Sequence, residues 1–132
     1  MHKFQTRVYY QDTDASGIVY HSNYLKFAER ARTEWLLEKG VPDSVLQAKN
    51  IGFVIRRAQI EYLAPARYED LLTIETRVTA MHASYMEVAQ TVYRGQTELV
   101  RMMLTVVFID LRTFKPIRLP EDIKELFMKG EE

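Results

Sequence analysis

Two carboxylates, a glycine and a histidine fall within ten residues in the stretch DTDASGIVYHSNYL, residues 12–25. Asp12, Asp14 and His21 at that spacing could ligate a metal, carry a phosphoryl group or perform acid–base chemistry. The same residue types also make ordinary loops and helix starts, because Asp and Ser bond nearby backbone groups.

Calcium nearly fits the spacing. Asp12, Asp14, Ser16 and Gly17 match the first half of an EF-hand loop, and Val19 suits its apolar position. The twelfth position, which needs a bidentate Glu, is Asn23, and a strand pattern precedes the loop where an EF-hand needs a helix. An Asp-x-Asp after an apolar strand also resembles the haloacid-dehalogenase phosphatases, whose chemistry sits on a larger parallel sheet. A transition-metal site built on Asp12, Asp14 and His21 lacks a fourth ligand, and no metal is expected.

The elements that would hold this stretch can be read from periodicity. FQTRVYY reads as a first strand. From Asn23 to Lys39, apolar Tyr24, Phe27, Ala28, Ala31, Trp35 and Leu36 recur at spacings of three and four, which predicts one long amphipathic helix. Ser22 or His21 is placed to cap its start, and Gly40 with Pro42 marks its end. After Gly52 the period changes to two through RRAQIEYLAP, LLTIETRVTA and SYMEVAQTVY. LVRMMLTVVFID is apolar on both faces, so it is expected to be covered on both. The short links ARYED, MHA and RGQTE imply antiparallel pairing of consecutive strands. Pro120 opens a short last helix with Glu121 and Asp122 in its first turn. The expected architecture is α+β: a five-stranded antiparallel sheet wrapped around one long central helix, with a short C-terminal helix.

Composition narrows the function. The 132 residues suit one domain, 1–132, and 47% hydrophobic content suffices for a core. Eighteen basic and eighteen acidic residues cancel, so no general field draws nucleic acid, and recognition of a charged ligand must be local. The absence of cysteine excludes disulfides, thiolate zinc and a cysteine nucleophile, and fits a cytoplasmic protein. No stretch is long and apolar enough for a membrane span.

The run YYQDTDASGIVYHSNYLKFAERARTEWL, residues 9–36, resembles the signature of the 4-hydroxybenzoyl-CoA thioesterase family, in particular its YbgC-like branch. The resemblance implies the hot-dog fold, pairing of sheets edge to edge in a homodimer, and assembly into a homotetramer. It implies hydrolysis of an acyl-CoA, coenzyme A being part of the substrate and no cofactor being needed. Asp14 matches the catalytic carboxylate, Tyr10 and His21 match other active-site positions, and the backbone N–H near His21 matches an oxyanion donor. Gly17, Ile18, Val19, Tyr20 and Ser84 match substrate-binding positions. Asp12 is as well explained by holding the turn, Tyr10 by the core, and His21 by a polar cap. The turn before the fourth strand, where some relatives carry basic residues, is AMHASY here. That leaves Arg56, Arg57 or Arg94 to grip nucleotide phosphates, and leaves room for an acyl-carrier-protein substrate. Two other readings stand beside hydrolysis: a hydroxyacyl dehydratase, whose HFPG-type motif is absent, and a module that only binds acyl thioesters or a protein partner.

Overall fold

Residues 23–39 form the long helix that the apolar stripe predicts, and the same six residues of the stripe are buried. In this computed structural model, which describes residues 1–131, the elements run β1 (His2–Arg7), α1 (Asn23–Lys39), α2 (Asp43–Ala48), β2 (Ile51–Tyr62), β3 (Leu71–Met81), β4 (Tyr85–Arg94), β5 (Thr97–Asp110) and α3 (Glu121–Met128). Ala28 and Ala31 are fully buried and let the helix backbone approach the sheet closely. Gly40 takes a left-handed conformation, and its N–H closes the helix on the carbonyls of Leu36 and Leu37.

The helix start differs from expectation. Ser22 is helical in conformation and its side chain makes no capping bond. The Asn23 amide instead donates to the Asp12 carbonyl at 2.8 Å, which ties the helix to the motif loop. α2 follows Pro42 and buries Leu46, where no element was expected; one and a half turns are too few for a periodicity to show. The first strand also ends earlier than expected. Val8 turns into the core, and Tyr10–Asp12 form a 3-10 turn.

All pairings are antiparallel, and the sheet order is β1-β3-β4-β5-β2. The links MHA and RGQTE join neighbours, but ARYED does not. β2 pairs with β5 at the far edge, not with β1 or β3. Residues 63–70 therefore cross three strand spacings, about 14 Å, well within the roughly 26 Å that eight residues can span.

Val100, Met102, Leu104, Val106 and Phe108 of β5 form the inward row and are all buried. On the outward row Met103 is 40% exposed in the single chain while Ile109 is buried; the second cover expected for this strand is another copy of the chain. Two polar residues, Thr76 and Gln90, are fully buried under α1. The Gln90 amide N–H₂ donates to the Ala28 carbonyl and the Thr76 hydroxyl, both at 3.0 Å, and its oxygen accepts from Arg32 Nη1 at 2.8 Å. Each buried amide atom thus has a partner, as burial requires. α3 starts after Pro120 as expected and sends Phe127 against Trp35 and Phe53, with ring centroids 5.6 and 5.7 Å apart. No helix among the described residues is long and apolar enough to cross a membrane.

Candidate active site

The motif folds back on itself. Thr13 bridges Val19, the Asp14 N–H donates to the Ile18 carbonyl at 2.9 Å, and the Gly17 N–H donates to the Asp14 carbonyl at 3.0 Å. Gly17 sits at φ +83°, a conformation that a side chain would strain. The link after β2 pins the loop from outside: the Val19 N–H donates to the Ala66 carbonyl at 2.9 Å, and Ile18 bridges Arg67. Val19 itself is buried in the core.

Asp14 stands exposed at the tip of this loop. Its Oδ1 accepts the Ser16 hydroxyl and, at 2.8 Å, the Ser16 N–H. These bonds, the hydroxyl first, hold the carboxyl below the ordinary aspartate value of 3.8, so it is ionised at neutral pH. Asp12 is different. It is buried, its Oδ2 accepts the Tyr9 N–H at 2.8 Å, and its carbonyl accepts from Tyr20 N–H and the Asn23 amide. It holds the turn and is not available to a ligand.

The loop feeds directly into α1. Among the described residues no acceptor meets the backbone N–H of His21 or Ser22. These N–H groups lie at the positive end of a 17-residue helix. The His21 ring is exposed, lies 4.4 Å from the Tyr20 ring, and meets the Tyr62 ring edge-on at 6.4 Å. The Tyr62 hydroxyl donates to the His21 carbonyl at 3.2 Å. Tyr10 is not in the core: it is 78% exposed and packs edge-on against Tyr68, 5.9 Å away.

The structure thus brings Asp14, Gly17, Ile18, Tyr20 and His21 to one end of the sheet, with Tyr10 beside them. Ser84 is at the other end, where its carbonyl accepts the Phe108 N–H at 2.9 Å and Phe108 pairs with Phe53. Arg94 is committed to Asp70 (2.9 Å) and to the Pro65 carbonyl (3.3 Å). Arg67 and Tyr68 border the motif loop and Tyr62 borders the helix start, all three missed by the sequence reading, because more than 40 residues separate them from Asp14 and no local pattern links them. Among the described residues there is no cluster of three metal-ligating side chains.

An antiparallel sheet curled around one helix, with an exposed carboxylate in the loop that leads into that helix's free N–H groups, is the arrangement of a hot-dog thioesterase. The comparisons agree: residues 8–127 match the thioesterase-like superfamily, and the chain belongs to it, in its YbgC branch. It is similar to the acyl-CoA thioester hydrolase YbgC of Escherichia coli, at 39% identity over 92% of this chain and 91% of the relative. The acyl-CoA thioesterase YbgC of Haemophilus influenzae is 37% identical over 94% and 92% of the two chains. Among solved structures, the "Probable Thioesterase" of Bartonella henselae superposes with a TM-score of 0.85 at 38% identity, covering 90% of this chain and 98% of that one.

Proposed function

We propose that this chain hydrolyses acyl-CoA thioesters, with Asp14 at the reacting carbonyl. The observation that carries the reading is an ionised, exposed carboxylate oriented by Ser16, three residues before Gly17 turns the chain toward free helix N–H groups. A thioester oxygen seated on the His21 or Ser22 N–H gains stabilisation as it becomes an oxyanion; one such donor is typically worth roughly 100- to 1,000-fold in rate. Asp14 then attacks the carbonyl carbon directly, giving a mixed anhydride that water opens, or takes a proton from an attacking water. In either route a C–O bond forms, the C–S bond breaks, and the proton ends on the thiolate. Coenzyme A thiolate leaves readily, so no strong acid is needed. Tyr10 and the His21 ring flank the substrate, as does Tyr20.

The reading includes a homodimer formed by β2. That strand has β5 on one side and an open edge on the other, and an open edge twelve residues long is a pairing surface. Antiparallel pairing of two β2 edges would set the Phe53 end of one copy beside the Tyr62 end of the other. Ser84, near Phe53, then meets the Asp14 loop of the other copy, which explains why one chain separates them. The open groove of about 910 Å³ on the outer sheet face, with Arg77, Arg101 and Met103 in its lining, offers a surface for pairing dimers into a tetramer. A cytoplasmic location belongs to the same reading.

Thiol release from a panel of acyl-CoA and acyl-carrier-protein thioesters, followed with a thiol reagent, tests the activity. Release by the wild type and its loss in Asp14→Asn support it. Binding without release would make the chain an acyl-thioester module instead.

A further inference from the structure

The inward row of β2 is Phe53, Ile55, Ala58, Ile60 and Tyr62, which pair with the buried β5 residues Phe108, Val106, Leu104, Met102 and Val100. Pointing inward should bury them, yet Ile55 is 41% and Tyr62 49% exposed. The cause is the placement of α1, which packs most closely over β3 and β1. An uncovered apolar trough therefore runs between α1 and the edge strand. One end is the helix start, where Tyr62 meets His21. The other end opens on a small cavity of about 50 Å³ lined by Trp35, Phe53, Ile55, Met86, Val106 and the side chain of Arg32.

Arg32 is out of place in such surroundings. It is half-buried, and burial pushes its pKa down against the pull of Glu29 one turn earlier. Among the described residues no carboxylate forms an ion pair with it. Its one hydrogen bond goes to the oxygen of Gln90, whose own amide is fixed by Ala28 and Thr76. A guanidinium has five N–H donors in a rigid fork that fits a carboxylate. Buried charges are normally paired. A fixed, half-buried cation with spare donors in the lining of a small apolar cavity is the complement of an apolar chain that ends in an anion.

We propose that Arg32 anchors the far end of the acyl group, and that the substrates include thioesters of medium-length acids carrying a second carboxylate at the distal carbon. The proposal rests on the thioesterase reading and names the substrate class of that site. The helix rise from Asn23 to Arg32 sets the span at about 13 Å. Leu25 and Leu36 share the helix face of Arg32, seven residues before it and four after, and supply apolar wall on either side.

Matched pairs of substrates test it: octanoyl-CoA against suberoyl-CoA, decanoyl-CoA against sebacoyl-CoA, and lauroyl-CoA against dodecanedioyl-CoA. The wild type is expected to show at least a tenfold higher kcat/KM for the carboxylated member at one of these lengths. Arg32→Met is expected to bring that ratio to one or below. The idea is overturned if the wild type favours the plain chain at every length. It is equally overturned if Arg32→Met lowers both members of a pair by the same factor, since that is the mark of a purely structural arginine. Should the variant fail to fold, melting of the wild type decides: sebacic acid should raise Tm more than decanoic acid does, and no difference sinks the proposal. A wild type that releases thiol from no acyl-CoA would refute the thioesterase reading itself, before any pair is compared.

Discussion

The Ser16 N–H and the Ser16 hydroxyl both donate to the same oxygen of Asp14, Oδ1, so that Oδ2 is left open toward solvent. A carboxylate two residues away in the chain is thereby turned into a fixed group with one free oxygen, which is what attack on a carbonyl or on a water's proton needs.

The same bonds set a pH dependence. They favour the charged form, so the Asp14 pKa in the folded chain lies below 3.8, and the reactive carboxylate is present above that value and lost as pH falls through it. The acid limb of kcat/KM, which reports the free enzyme, is expected below pH 3.8 or to be hidden by unfolding. Ser16→Ala should shift that limb upward and lower kcat. An acid limb above pH 5 in the wild type would mean that some other group controls the rate.

Asp14→Asn preserves size and removes charge and nucleophilicity. Turnover should fall by several orders of magnitude with the melting temperature nearly unchanged, because Asp14 is exposed. Asp12→Asn should be the milder change in turnover. Asp12→Ala instead leaves the Tyr9 N–H without its acceptor and should cost about 1–3 kcal/mol of stability. Urea titrations of the three variants, read beside their rates, separate the two roles; a larger rate loss in Asp12→Asn would show the carboxylates to be wrongly assigned.

Ile55→Asp puts a charge on the uncovered inward row of the edge strand. Sedimentation at low micromolar concentration should show at least a dimer for the wild type, since obligate interfaces bury roughly 2,000 Å² or more. The variant should shift toward monomer; because Ile55 also lines the proposed acyl trough, the sedimentation shift and not the loss of activity reports the interface. A wild-type monomer with full activity contradicts the shared site.

Gln90→Leu tests the buried polar pair beneath α1. It removes the acceptor of Arg32 and the donor to Thr76 and Ala28 in a place with no water contact. A loss of about 1–3 kcal/mol is expected in chemical denaturation, whereas a neutral outcome would show that the network is not needed for folding.

Recognition of the thiol carrier can be measured by moving one acyl group from coenzyme A to bare pantetheine. A loss of roughly tenfold in kcat/KM, about 1.4 kcal/mol, is expected, because the turn at residues 81–84 offers only His82 and Arg94 is tied to Asp70. A thousandfold loss would reveal a strong phosphate site, with Arg56 and Arg57, both exposed, as its first candidates. Arg94→Ala should act on stability through Asp70 and leave the ratio of the two substrates unchanged.

The chain's periodicity determined a great deal. α1 was legible because its six apolar residues lie on one face, and that face is what the sheet buries. β3, β4 and β5 were legible because short links leave adjacent strands no other partner. The place of Asp14 was legible because a glycine turn and a helix start within nine residues constrain the backbone locally. Tertiary structure alone decided the rest. No local rule told β2 to cross the sheet and pair with β5, since an eight-residue link permits either edge. The division between Asp12 and Asp14 was already implied by the family resemblance, and the fold supplies only its physical cause, the 3-10 turn that draws Asp12 inward to the Tyr9 N–H. Arg32, which no pattern in the sequence singles out, acquires its meaning only where α1 leaves the inward row of β2 uncovered and the guanidinium lines a small apolar cavity beside it. Charge and hydropathy are properties of a residue, but burial and partnership are properties of a place, and only the folded chain assigns places.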